Sequence, residues 1–212
     1  MRACETSDED ITETGNDEAF ILRKATIDDV PQLIRLHRVA IRELGGSAYT
    51  ADQIDSFLLH VPTLDDSLID DRTYFVAEAD GVVVGAGGWS YRIPSDMHTI
   101  DVDHATAAVE PAAVIRAMYT HPDWARRGIG RAILEAAETE AAAAGYRHIE
   151  LHALLPGVPL YRACGYTPIG RCQAQLSDGV MLPIVHMHKR VDTRPVGVRG
   201  RAASGMGWGR AA

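Results

Sequence analysis

The stretch "YTHPDWARRGIGRAILEAAE", residues 119–138, changes abruptly from aromatic and proline-rich to small and apolar, with arginines and glycines at the change. A strand that runs through Gly128 and Gly130 into a helix presents backbone N–H groups that no helical carbonyl accepts, and the helix dipole adds partial positive charge there. Arg126, Arg127 and Arg131 can add full charges. The stretch therefore predicts an anion pocket, for which pyrophosphate is the natural ligand.

Two familiar phosphate-binding loops do not fit this turn. A Walker loop requires Lys and Ser or Thr after its second glycine, whereas Gly130 is followed by Arg131 and Ala132. A Rossmann loop requires a third small residue where Ile133 stands. Nucleotide hydrolysis and dinucleotide redox chemistry are therefore disfavoured.

The segments before the turn predict a strand, two helices and a hairpin. "FILRKAT" is typical of a strand, and Thr26 with Asp29 forms a capping-box pattern for a helix that begins near Ile27. Thr50 and Gln53 repeat that pattern for a second, shorter helix. Asp80-Gly81 then joins two β-rich runs as an antiparallel hairpin. Residues 93–111 are polar and aperiodic, which predicts a long surface loop.

The segments around and after the turn complete an alternating pattern. "AAVIRAMYT" predicts a fourth strand, and the alanine-rich run from Ile129 predicts a helix that ends at Gly145. "YRHIELHAL" predicts a fifth strand and "PGVPLYRACGY" a short helix that ends at Gly165. "MLPIVHMHKRV" alternates as a late strand does.

Two motifs resemble the GNAT N-acetyltransferase superfamily. "MYTHPDWARRGIGRAIL" resembles its acetyl-CoA loop, Arg/Gln-x-x-Gly-x-Gly/Ala, with Ala125 at the Arg/Gln position. "PLYRACGY" resembles its aromatic-Tyr-x-x-x-Gly-Phe/Tyr signature, and the order of elements agrees over about residues 20 to 190. The resemblance implies an α/β (α+β) fold: a central mixed, mostly antiparallel sheet flanked by helices.

The same resemblance implies roles for individual residues. Acetyl-CoA is the implied cosubstrate, Tyr161 matches the tyrosine that protonates the departing CoA thiolate, and Glu150 matches a glutamate proposed as the base. The backbone of the strand before the turn would hold the pantetheine arm, and the turn would hold the diphosphate. The implied cofactor-binding residues are Met118, Tyr119, Thr120, Arg126, Arg127, Gly128, Ile129, Gly130 and Arg131.

Several roles remain open at this level. His152 shares a strand face with Glu150 and could share or replace its role, and Glu110 is a more distant candidate. A solvated strand face is the alternative for Glu150 and His152, a packed helix residue for Tyr161, and an exposed turn for the arginines. His186 and His188 alternate on one strand without a third ligand at metal spacing, so no metal is predicted.

Composition bounds the remaining expectations. The 212 residues carry a net charge of −8, which argues against broad nucleic-acid binding, and no apolar run is long enough for a membrane span. Three cysteines at unrelated spacings predict reduced thiols. "MRACETSDEDITETG" lacks an export signal's apolar segment, so we expect a cytoplasmic protein. Residues 1–18 and 191–212 predict disordered acidic and basic ends around one domain at 19–190.

The sequence thus predicts an acetyl-CoA-dependent N-acetyltransferase that moves the acetyl group directly to a primary amine. Cys164 is not expected to form an acyl-enzyme, because no histidine accompanies it. The acceptor, a small molecule or a peptide, is not identified, and family habit allows a homodimer. A non-catalytic acyl-CoA sensor is the main alternative, and an RNA-binding protein that uses the arginine-rich tail is the other.

Overall fold

The computed structural model describes residues 20–62, 64–92, 98–100 and 111–192, with the backbone alone at 98–100. The predicted disordered ends therefore lie outside the described residues, apart from 191–192, as do Glu110 and most of the predicted loop at 93–111. The strands are β1 Ile21–Lys24, β2 Tyr74–Ala79, β3 Val82–Ser90, β4 His98–Ile100, β5 Ala112–Thr120, β6 His148–Leu154, β7 Thr167–Gln175 and β8 Met181–Arg190. The α-helices are α1 Val30–Gly45, α2 Ala51–His60, α3 Asp66–Asp70, α4 Ile129–Ala143 and α5 Val158–Ala163.

The described strands form one sheet in the order β1-β2-β3-β5-β6-β8-β7-β4. Within it β5 and β6 run parallel, and every other neighbouring pair is antiparallel. The predicted mixed, mostly antiparallel sheet flanked by helices is confirmed. None of the helices in these residues is both long and apolar enough to cross a membrane.

The local start and turn signals of the sequence are present. The side chain of Thr50 accepts from the backbone N–H of Gln53, 3.2 Å away, at the start of α2. Asp80 and Gly81 both have positive φ in the β2–β3 turn, as a two-residue hairpin requires. Residues 27–29 form a 3₁₀ turn rather than the first α-helical turn, so α1 itself begins at Val30.

Three elements were not predicted. The strand β7 lies where Pro168 and Gly170 interrupt the β pattern, and its first residues are mostly exposed. The strand β4 lies inside the segment predicted as a loop, and it pairs with the outer edge of β7. The helix α3 is only five residues long. The strand β7 and the helix α3 carry little periodic signal, because few of their side chains are buried.

The sheet is covered on both faces. α4 packs Ile133, Leu134 and Ala137 against one face, and α1 packs Leu33 and Leu36 against the other. In addition to these two packed groups, a third cluster of buried apolar side chains joins α2 to β7 and β8. The glycines of β3 permit the close approach of its neighbours: a Cβ at Gly85 or Gly87 would overlap a side chain of α4 or β5.

Gly88 supplies a test of this packing. A Cβ there would overlap the backbone oxygen of Thr73 and lie 2.9 Å from Cα of Tyr74, neither of which a rotamer change can move. We expect Gly88→Ala to lower the free energy of unfolding by about 2 kcal/mol, the usual cost of overpacking. Urea unfolding measures this change. Gly170→Ala, in β7, is the control because its Cβ would contact nothing within 4 Å; equal losses in the two variants would contradict the packing argument.

Candidate functional site

The parallel pair β5 and β6 separates at the centre of the sheet. Their ladder runs from Ala112–His148 to Val114–Glu150, yet β5 continues to Thr120 and β6 to Leu154. The other edge of β5 pairs with β3, and that of β6 pairs with β8. Between the separated ends lies a cavity of about 850 Å³. Beyond Val114, the edge of β5 that faces β6 therefore lies along this cavity rather than in the β5–β6 ladder.

A bulge in β5 shapes this opening. Ala86 pairs with Tyr119 but Gly88 pairs with Arg116, so β5 contains one extra residue, and Ala117 has φ +50°. The hydroxyl of Tyr74 donates to the carbonyl oxygen of Ala117 over 2.9 Å. Because a trans peptide holds its C=O and N–H on opposite sides, the N–H of Met118 points away from Tyr74. The tyrosine therefore fixes the orientation of this peptide beside the cavity.

A buried histidine extends that contact. Nε2 of His37 lies 3.1 Å from the hydroxyl oxygen of Tyr74, whose own hydrogen goes to Ala117, so His37 donates. Its ring packs against Tyr119 with the centroids 4.0 Å apart. Nδ1 has no hydrogen-bond partner in the part of the chain that the structure describes. His37 lies on the buried face of α1, and helical spacing alone would not identify Tyr74 or Tyr119 as its neighbours.

Burial makes His37 a source of acid sensitivity. Desolvation lowers its pKa from 6.5 to about 3, so the folded protein keeps it neutral where the unfolded chain binds a proton. The contribution of neutral His37 to the free energy of unfolding is then fully present above about pH 6.5 and decreases as the pH falls towards 3. Between pH 7 and pH 4.5 we expect a loss of about 2 to 3 kcal/mol from this residue, which urea unfolding at the two pH values measures.

A variant separates this loss from other acid effects. His37→Gln keeps a donor for Tyr74 without a titrating ring, so its stability should change less over the same interval. The pKa of His152 is lowered to about 4, chiefly by burial, and this residue adds a smaller change in the same direction. Asp29 affects the free energy of unfolding mainly at pH values below its usual pKa of 3.8, because the hydrogen bond from Arg23 lowers its pKa in the folded protein to about 2. A loss in His37→Gln as large as in the wild type would contradict the assignment.

The glycine turn closes one end of the cavity. Gly128, with φ +87°, is the residue before α4, and a Cβ there would meet nothing within 4 Å. The first intrahelical bond at this end runs from Ala132 N to Gly128 O, so the N–H groups of residues 129–131 precede the helical ladder. Gly130 is required for a different reason, because a Cβ at this position would lie 2.9 Å from Cδ2 of Leu160. The second glycine therefore lets α5 pack directly on the turn.

The structure brings most of the predicted cofactor residues to the cavity. The predicted residues that line it are Met118, Tyr119, Thr120, Arg126, Gly128, Ile129, Gly130 and Arg131. Arg127 does not line it; its guanidinium lies over the ring of Trp124, 4.8 Å from the centroid. Arg126 and Arg131 thus supply the side-chain charge at this end, where the N-terminus of α4 supplies the dipole.

Tyr161 lies in the wall formed by α5. It is buried, it lines the cavity, and its ring meets that of Tyr166 edge-on at a centroid distance of 5.8 Å. Burial raises the pKa of its phenol above the usual value, and Tyr119 and Cys164 act in the same direction. The phenol therefore keeps its proton at neutral pH and can donate it.

Glu150 and His152 share a face of β6, as predicted, but only His152 lines the cavity. Nε2–H of His186, on β8, donates to the Glu150 carboxylate over 3.1 Å, and this bond is the main reason why the pKa of Glu150 is lowered. The ring of His152 stacks on His186 with the centroids 4.6 Å apart. Glu150 is therefore not in the cavity wall itself, and His186 connects it to His152, which is. No group of three His, Cys, Asp or Glu side chains suited to a metal ion occurs among the described residues.

Comparison with known protein families shows which family the chain belongs to. Residues 38–166, more than half of the chain, match the Acetyltransferase (GNAT) family. The chain belongs to the GNAT acetyltransferase family. The matched range contains the separated strands, the glycine turn and Tyr161. A comparison with curated protein sequences gives no significant match.

Solved GNAT structures share the fold of this chain. A GCN5-related N-acetyltransferase from Rhodopseudomonas palustris is 18% identical with a TM-score of 0.61, over 86% of this chain and 100% of that one. The PaiA N-acetyltransferase from Thermoplasma acidophilum, in complex with coenzyme A, is 16% identical with a TM-score of 0.58, over 81% of this chain and 99% of that one. The putative acetyltransferase YncA from Salmonella typhimurium, with acetyl-CoA, is 17% identical with a TM-score of 0.55, over 85% of this chain and 98% of that one.

Proposed function

We propose that this GNAT protein binds acetyl-CoA between β5 and β6 and transfers the acetyl group directly to a primary amine. The observation that carries the proposal is that one cavity joins the part of β5 beyond the β5–β6 ladder, the glycine turn and the phenol of Tyr161. The presence of coenzyme A and acetyl-CoA in the similar structures supports it.

The cofactor would be held mainly by backbone groups. Its diphosphate would lie at the turn, where the N–H groups of residues 129–131 and the side chains of Arg126 and Arg131 meet. Its pantetheine arm would pair with residues 118–120, which line the cavity beyond the end of the β5–β6 ladder. Ala125 at the usual Arg/Gln position leaves the N–H groups of residues 129–131 unchanged, and its own N–H already donates to the carbonyl oxygen of Pro122 over 3.0 Å.

The transfer would proceed in one displacement. The neutral amine nitrogen attacks the thioester carbonyl carbon, the C–S bond breaks, and the departing thiolate takes a proton from Tyr161. The attacking nitrogen loses one proton as the amide forms. His152 is the group in the cavity wall that can accept it, because its lowered pKa leaves the ring neutral at pH 7. Glu150 would then act through His186 as a nearby negative charge rather than as the base itself.

The remaining parts of the proposal concern partners and location. The acceptor is a small-molecule or peptide amine, with no nucleic-acid or membrane partner, and the protein acts in the cytoplasm, as a monomer or a homodimer. Cys164 has no part in the transfer: burial raises the pKa of its thiol, which keeps it protonated and poorly nucleophilic.

The test is calorimetric titration of the purified protein with acetyl-CoA and with CoA, followed by release of free CoA thiol with a panel of amines. Micromolar binding and amine-dependent thiol release are the expected results. A folded protein that binds neither compound would overturn the proposal, whereas binding without release for any amine would favour an acyl-CoA sensor.

A further inference from the structure

The cavity continues beyond the proposed cofactor site, towards the face of the sheet that α1 and α2 cover. This continuation, here called the acceptor chamber, is bounded by α1, α2, the segment before α3, and β8. Its apolar lining consists of Ala40, Ile41, Leu44, Ile54, Phe57, Val61, Leu64, Leu68, Leu182 and Ile184. Aliphatic and aromatic side chains from four separate elements thus converge on one space.

The polar side chains of the chamber are engaged with protein groups. The hydroxyl of Tyr49 donates to the carbonyl oxygen of Pro183 and accepts from the N–H of Leu155, both over 2.8 Å. The amide nitrogen of Gln53 donates to the carbonyl oxygen of Met181 over 2.8 Å. These bonds tie the α1–α2 region to β8 and to the end of β6. Their donors are used within the protein, so the chamber presents mainly hydrocarbon to a ligand.

The charges of the chamber cancel. Among its described lining residues only Asp65 and Arg116 are charged, and they form an ion pair with each other. Arg126 and Arg131, at the turn, are positive as well. The whole described lining therefore contains one carboxylate, and that carboxylate already has a cation. Burying a second or third ammonium group would require carboxylates that this lining does not supply.

We propose that the acceptor is a monoamine carried on an uncharged apolar body, and that polycationic amines such as spermidine are excluded. This inference rests on the proposed function and narrows its acceptor. The apolar body would lie against Ile54 and Phe57 of α2 and Leu182 of β8, with the amine directed towards His152 at the separated strands. Removal of apolar surface from water would supply the affinity, and the lack of a carboxylate without a cation in the described part of the lining would supply the discrimination.

The experiment compares two amines of known charge on the CoA-loaded protein. Calorimetry with 2-phenylethylamine and with spermidine should give at least about 10-fold tighter binding of the aromatic monoamine. Ile54→Asp places a carboxylate in the chamber at a partly exposed position and should reverse the preference. Leu59→Asp is the matched control on the same helix, because Leu59 is 77% exposed and lies outside the cavity lining; it should keep the wild-type preference.

Each outcome decides between the two proposals. If CoA binds but spermidine binds as tightly as 2-phenylethylamine, or if 2-phenylethylamine does not bind, the acceptor inference is overturned and the proposed function stands. A preference that Leu59→Asp reverses as well as Ile54→Asp would also overturn it, since surface charge would then explain the effect. If CoA itself does not bind, the proposed function fails and the inference fails with it. CoA affinity also reports that each variant is folded.

Discussion

Replacing Gly128 by glutamate is expected to weaken CoA binding by more than about 1,000-fold, to below calorimetric detection. The added side chain would enter open space beside the N-terminus of α4, where the diphosphate is proposed to lie. There it would occupy the ligand's position and oppose its charge with its own, and together these effects amount to about 4 kcal/mol or more. The wild-type and variant proteins would be titrated with CoA under the same conditions.

The chain offers a closely matched control for that variant. Gly179, in the turn between β7 and β8, has φ +88° against +87° for Gly128, and a Cβ there would also meet nothing within 4 Å. Gly179→Glu therefore carries the same left-handed backbone strain and the same charge change, away from the cavity. It should bind CoA as the wild type does. Equal loss in both variants would show that strain or net charge, not diphosphate contact, is responsible.

Tyr161→Phe is expected to lower kcat for acetyl transfer about 100-fold while CoA affinity changes less than about threefold. The substitution removes only the phenol hydroxyl, whose proton transfer to a leaving group is worth about this factor or more, and keeps the ring that packs against Tyr166. Steady-state thiol release with the best amine of the panel measures kcat, and calorimetry measures affinity. The split between the two quantities separates a chemical role from a structural one.

Tyr166→Phe serves as the control for this prediction. Tyr166 is equally buried and in edge-on contact with Tyr161, but it does not line the cavity. Its variant should keep a wild-type kcat. An unchanged kcat in Tyr161→Phe would instead exclude its role as the acid, and a parallel loss in both variants would indicate damage to α5 packing.

Local patterns in the sequence were sufficient for much of the fold. The hairpin at Asp80-Gly81, the start of α2 at Thr50 and the glycine turn before α4 each depend on a few adjacent residues whose conformations are restricted. The strand β7 and the helix α3 were missed because neither has a long buried face. The strand β4 was predicted as loop, since its pairing with β7 depends on residues about 75 positions away along the chain.

The candidate site divides in the same way. By itself, the sequence placed a glycine turn at a helix N-terminus over residues 126–131, as the structure has it, and predicted that this turn binds an anion. Through resemblance it also singled out Tyr161, because both are local motifs. Only the tertiary structure decided that β5 and β6 separate after Val114, that Arg127 packs on Trp124 instead of lining the cavity, and that Glu150 lies behind His186 and His152. It alone decided the contact of Tyr74 with Ala117 and the apolar chamber. Apart from the local contact of Arg127 with Trp124, those features join residues distant in sequence, and long-range packing, which no local pattern encodes, sets their positions.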